Sequence, residues 1–153
     1  SKLVMMVLVI WVLFGQVLGI TAMKNNDMSP SVSAGDLLLY YRMQDKLRTD
    51  DVVVFEKDGK QYVGRIVGKC GETVEITEES SLKINGSVRI ETNIFYTTPR
   101  YDDAVAYPVE LADDEYFILC DYREGARDSR YFGPVKRSEI KGKVITILRR
   151  SSL

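Results

Sequence analysis

Few side chains in this sequence offer covalent or acid–base chemistry. There is no histidine, which excludes Ser-His-Asp and Cys-His pairs and removes the commonest zinc ligand. Two cysteines, Cys70 and Cys120, are too few for a structural zinc site, so no metal or other cofactor is implied. What remains is carboxylate chemistry. Asp27 sits in Asn25-Asn26-Asp27-Met28-Ser29-Pro30, between a long apolar run and Gly35-Asp36-Leu37-Leu38-Leu39. Aspartic chemistry needs two carboxylates sharing a proton around a water. The other candidate, Asp128, has Arg130 two residues on, and an ion pair is its better use. On the floor of a cleft, Asp27 would need partners or a raised pKa. Arg65, Lys69 and Asn25 are its neighbours by sequence.

The elements that must position these residues read as strands. A chain of 153 residues, 45% hydrophobic and 28% charged, is long enough for one domain with a real core. Its formal charge of −1 with mixed signs gives no reason to expect a nucleic acid partner. Gly35-Asp36 opens an apolar run, Asp50-Asp51 opens Val52-Val53-Val54-Phe55, and Asp58-Gly59 turns into a returning strand. Asn85-Gly86 marks a second hairpin, and apolar runs at 116–119 and 142–148 complete the set. Short strands spaced by turns, without helical periodicity after residue 24, point to an antiparallel all-β fold. Ser138-Glu139-Ile140-Lys141 is compatible with one helical turn. Residues 92–111 break the strand pattern with Pro99 and Pro108. The aromatics there (Phe95, Tyr96, Tyr101 and Tyr107) either cap the sheet or present a partner surface.

Residues 3–20 carry no charge and one strongly polar side chain, Gln16. As a helix rising about 1.5 Å per residue, the run falls just short of a roughly 30 Å hydrocarbon core. The end of a membrane anchor, feeding directly into a first strand, is the favoured expectation. A signal peptide and a buried core segment are the alternatives, and from Val12 onward alternation fits a strand as well as a helix.

Three stretches resemble, in order, the signature boxes of type I signal peptidases. In the nucleophile box a serine precedes Met-x-Pro and a Gly-Asp-apolar strand follows; here that position is Asp27. Residues 62–72 resemble the box carrying the general-base lysine, and the lysine position is Gly64. Asp121-Tyr122-Arg123 through Asp128-Ser129-Arg130-Tyr131-Phe132-Gly133 resembles the C-terminal box. Its supporting hydroxyl falls on Ala126, while its Asp and Arg stand as Asp128 and Arg130, in a structural role. The resemblance implies an antiparallel signal-peptidase-like β fold over 16–153, with a variable insert at about 77–112. It also implies an anchor ending near residue 15, holding the body at the membrane outside the cytoplasm. Substrate would lie extended between residues 20–25 and 61–64, in a cleft lined by Ile20, Met23, Asn25, Asn26, Met28, Gln61, Val63 and Arg65.

The chemistry of that family is absent from these positions. A serine needs a base to take its proton, and Gly64 has no side chain to supply one. A carboxylate attacking an amide would form a mixed anhydride, which reverts more readily than it acylates. Aspartate at the serine position with glycine at the lysine position is similar to the signal-peptidase-like pilus-assembly proteins of streptococci. That resemblance implies a membrane-tethered, non-catalytic assembly factor or chaperone that binds a pilin subunit or another extended polypeptide, with sortase as a further partner. An active peptidase with unusual residues is the alternative. Cys70 and Cys120 fall in boxes that border the same cleft, so a disulfide and two separate thiols stand as equal expectations. A bond closing a loop of about 50 residues would stabilise by on the order of 4 kcal/mol.

Overall fold

Helix precedes strand. The structure, a computed structural model, describes residues 1–101 and 104–149; the last four residues of the expected β domain lie outside the described residues. Lys2–Val12 forms α1, started by Ser1, whose hydroxyl accepts a hydrogen bond from the Val4 N–H. Leu13–Val17 continues as one wider, π-helical turn containing Gly15, and the chain extends only at Leu18. The strands that follow are β1 (Leu18–Ala22), β2 (Leu37–Tyr41), β3 (Val52–Lys57), β4 (Lys60–Gly68), β5 (Thr73–Ile76) and β6 (Leu82–Ile84). Next come β7 (Ser87–Val88), β8 (Val109–Glu110) and β9 (Glu115–Leu119). A short helix α2 (Ser129–Phe132), β10 (Val135–Lys136), a 3-10 turn (Arg137–Glu139) and β11 (Ile140–Leu148) complete the described elements.

Two readings need correction. The fold is mixed: antiparallel sheets with helical segments, not all-β. Nor does the expected anchor segment form a membrane-spanning helix among the described residues. The helix α1 has 11 residues, about 16 Å at ~1.5 Å per residue, half of a roughly 30 Å hydrocarbon core. Among the described residues no helix is long and apolar enough to cross a membrane. The physical reason is that the end of the apolar run is spent on sheet pairing, with Ile20 opposite Leu39. The expected location, set by a single anchor helix, has no such helix among the described residues to support it.

Among the described residues, seven strands form one sheet in the order β1-β2-β11-β3-β4-β9-β10, and four form a second in the order β7-β6-β5-β8. Tight turns set the registers. Asp58-Gly59 and Asn85-Gly86 both have positive φ at the two central residues, the backbone a two-residue hairpin requires. The β3–β4 hairpin accordingly pairs Lys57 with Lys60 and runs back to Val52 opposite Arg65. Three apolar clusters fill the core. One joins Met23, Met28, Val32, Leu38, Tyr40, Val54, Val63, Cys120 and Ala126. The second holds Phe55, Ile66 and Ile118, and the third packs the small sheet on Phe117 and Leu119.

Candidate functional site

Strand pairing leaves two edges open towards one cleft. Among the described residues β1 pairs only with β2. β4 pairs with β3 from Lys60 to Arg65, but with β9 only from Arg65 onward. Backbone direction alternates along antiparallel strands. Met23 bonds back to Asp36 and Gly35, so Ala22 and Lys24 direct their peptide groups outward from the sheet edge. Ile66 bonds to Asp50 and Asp51, so Gln61 and Val63 direct theirs away from β3. All four residues line one cleft of about 80 Å³, together with Met23, Asn25, Asp27, Tyr62 and Cys120. The Gln61 side-chain amide donates to Thr21 Oγ1 at 2.8 Å, tying the two edges together.

Of the expected cleft residues, Met23, Asn25, Asp27, Gln61 and Val63 meet there. Met28 and Ala126 lie beneath, in the apolar cluster that includes Met23, Val63 and Cys120. Ile20, half-exposed, Asn26, Gly64 and Arg65 are not part of the lining. Asn26 instead accepts a hydrogen bond from the Ala34 N–H. Gly64 is buried against the second cluster: a Cβ there would lie 2.5 Å from Ile118 Cγ2 and 3.4 Å from the Phe55 ring.

The cations expected around Asp27 do not pair with it. Arg65 forms a two-pronged bond to Asp121, at 2.8 and 2.7 Å, and Lys69 lies exposed in the turn after β4. Asn25 serves the backbone, its Oδ1 accepting from the Asp27 N–H. Burial pushes the Asp27 carboxyl above its ordinary range; the Arg127 backbone N–H opposes that, and the Asp128 charge adds to it.

Behind the cleft lies a network of buried charge. Asp121 also accepts from Ser31 Oγ at 2.7 Å, while the Asp121 N–H points at Met28 Sδ and the Tyr122 N–H bonds to the Asp27 carbonyl. Asp128 caps α2 and holds Arg130 through Nε and Nη2, at 2.9 and 2.8 Å, and it accepts from the Cys120 N–H. Arg123, fully buried, grips both carboxylate oxygens of Glu91 at 2.7 Å and bonds Thr98. Sequence reasoning missed Glu91, Ser31 and Ile118. Glu91 comes from an irregular stretch whose path no periodicity marks, and the filling of Gly64's space by Ile118 depends on register between strands.

The two cysteines do not meet. Cys70 is exposed in the turn after β4 and Cys120 is buried just past the end of β9; both are free thiols in this structure. Cys120 Sγ lies 3.4 Å from the Val63 carbonyl and 3.6 Å from that of Arg127, with one proton to share between them, and burial pushes its pKa well up. It is a poor nucleophile, because the thiolate is the reactive form. Among the irregular-segment aromatics, Tyr96 packs on Tyr122, Tyr107 on Phe117 and Tyr101 on Tyr131, and Tyr101 lies under the Arg130 guanidinium. Phe95 is 73% exposed.

Comparison with known proteins gives a consistent picture. Residues 1–148 match the family described as signal peptidase, peptidase S26. A probable signal peptidase I-2 of Synechocystis is 28% identical over 78% of this chain, which spans 57% of that relative's length. The signal peptidase I of Bacillus licheniformis is 26% identical over 78% of this chain and 70% of its own. An inactive signal peptidase IA of Staphylococcus aureus is 23% identical over 89% of this chain and 83% of its own. The crystal structure of a signal peptidase I from Enterococcus faecalis superposes with a TM-score of 0.53 at 29% identity. That match covers 67% of this chain and 98% of the other.

Proposed function

Because the chain belongs to the signal peptidase S26 family, we propose that it is a catalytically inactive member, one that holds an extended polypeptide in its cleft without cutting it. One observation carries this reading: the cleft keeps its two open strand edges, at Ala22 and Lys24 and at Gln61 and Val63, but its lining contains no serine. A peptide strand laid between two such edges gains main-chain hydrogen bonds on both sides, a form of strand addition. Asp27 occupies the nucleophile position. Gly64 occupies the base position, and its missing side chain is replaced by packing of Ile118. The relatives named inactive support the same assignment.

The finer reading concerns the partner. The aspartate-and-glycine pattern, similar to that of pilus-assembly proteins, supports a pilin subunit as the polypeptide held and sortase as a further partner, with this protein acting as chaperone or assembly factor. The protein should be incubated with a preprotein bearing a signal peptide and with a short extended peptide. Peptide binding without release of cleavage product is the expected result. Turnover of the preprotein that Asp27→Ala abolishes would overturn the reading.

A further inference from the structure

Three aspartates stand around the cleft and its floor, and they are not equivalent. Asp121 carries the Arg65 guanidinium and Asp128 carries Arg130. Asp27 lines the cleft itself, and among the described residues no cation lies within ion-pair distance of it. The arginines nearby are already engaged: Arg123 with Glu91, and Arg127 with its guanidinium over the Tyr131 ring at 4.8 Å. Lys24 lies on the same rim, exposed, and makes no ion pair among the described residues. The rest of the lining is apolar or neutral: Ala22, Met23, Asn25, Gln61, Tyr62, Val63 and the protonated Cys120 thiol.

We infer that the polypeptide held in this cleft bears a basic side chain, lysine or arginine, whose cation seats against the Asp27 carboxylate. The inference rests on the strand-holding reading above and adds the chemistry that selects the strand. A peptide entering the cleft removes more water from Asp27. Over a neutral side chain that carboxylate would be left further desolvated with only the Arg127 backbone N–H as partner, which is costly. A cation supplies a charge-assisted hydrogen bond in the same space. The two effects act in the same direction, favouring basic peptides and disfavouring neutral ones. Main-chain pairing along the open edges would give affinity regardless of sequence, so Asp27 is where sequence is read. The raised Asp27 pKa is consistent with this, since a carboxylate that already had a cation would be held down.

The test uses three capped peptides of the same extended sequence, with lysine, acetyl-lysine or glutamate at the central position, titrated calorimetrically into the full protein at low salt. The lysine peptide should bind about tenfold tighter than the acetyl-lysine one, the scale of one hydrogen bond to a charged group, and the glutamate peptide weakest. In Asp27→Asn, with the fold checked by circular dichroism, the lysine and acetyl-lysine peptides should bind alike. Equal binding of all three peptides to the wild-type protein would overturn the basic-residue inference while leaving the strand-holding reading in place. A lysine preference that persists in Asp27→Asn would overturn the role of Asp27. Absence of binding by every peptide would overturn both.

Discussion

Ile118 Cγ2 occupies the space in front of Gly64: a Cβ at residue 64 would lie 2.5 Å from it, well inside van der Waals contact. Ile118 is fully buried and β-branched, so it has little freedom to turn away. Gly64→Ala should therefore cost roughly 1–3 kcal/mol through overpacking. In a double-mutant cycle with Ile118→Ala, the two costs should be less than additive, because each change makes room for the other. Additive losses in chemical denaturation would show that the two positions do not compete for space.

The same contact bears on restoring catalysis. Asp27→Ser with Gly64→Lys should not yield efficient cleavage, since the lysine must displace Ile118 before it can serve as a base. Adding Ile118→Ala and Ala126→Ser should improve whatever activity is found. A double mutant that cuts a preprotein as fast as an ordinary signal peptidase would show that the space at Gly64 yields freely.

Asp27 should destabilise the fold at neutral pH. Its folded-state pKa is raised above the ordinary value of 3.8, chiefly by burial. The folded protein then binds more protons than the unfolded chain between the two pKa values, so stability falls as pH rises through that window. Asp27→Asn removes this dependence. Its melting temperature should exceed that of the wild type at pH 7, and the gain should vanish as pH drops below about 4, where an ordinary Asp is protonated. Equal melting temperatures at both pH values would contradict the shift.

The Arg65–Asp121 pair should behave as a buried pair. Asp121 has no solvent exposure and is held by two guanidinium bonds and the Ser31 hydroxyl. Asp121→Ala strands the guanidinium and should cost about 3–5 kcal/mol, a melting-temperature drop on the order of 10 °C for a domain of this size. Replacing both partners by apolar residues, Arg65→Met with Asp121→Leu, should recover much of that. If the double variant is no more stable than the single one, the pair is not the source of the loss.

Thiol labelling separates the cysteines. Cys70, exposed, should react with a water-soluble disulfide reagent in the native protein, while Cys120, buried and held protonated, should react only on unfolding. Two fast thiols, or none, would contradict the placement.

How much of this was legible in the sequence varied with the kind of signal. The hairpins at Asp58-Gly59 and Asn85-Gly86 were readable because only a few residue types accept positive φ at both turn positions. The start of β1 was not. Val12, Phe14, Gln16, Leu18 and Ile20 alternate as a strand would, yet the helix runs on to Val17. An apolar run without polar contrast carries no period to distinguish the two, and what ends the helix is the pairing of Leu18 with Tyr41. The same lack of contrast produced the expectation of a membrane anchor. At the site, Asp27, Gln61 and Val63 were placed together by their positions in recognisable boxes. Arg65 was given to Asp27 because only separation along the chain was visible; in space it belongs to Asp121.

The central claim is that two open strand edges hold a polypeptide intact, and hydrogen–deuterium exchange with mass spectrometry tests it in one experiment. With a saturating basic peptide, amides in residues 20–25 and 60–64 should slow in exchange, and the peptide should be recovered at its full mass. Protection elsewhere with those two segments unchanged, or recovery of the peptide in two pieces, would contradict it.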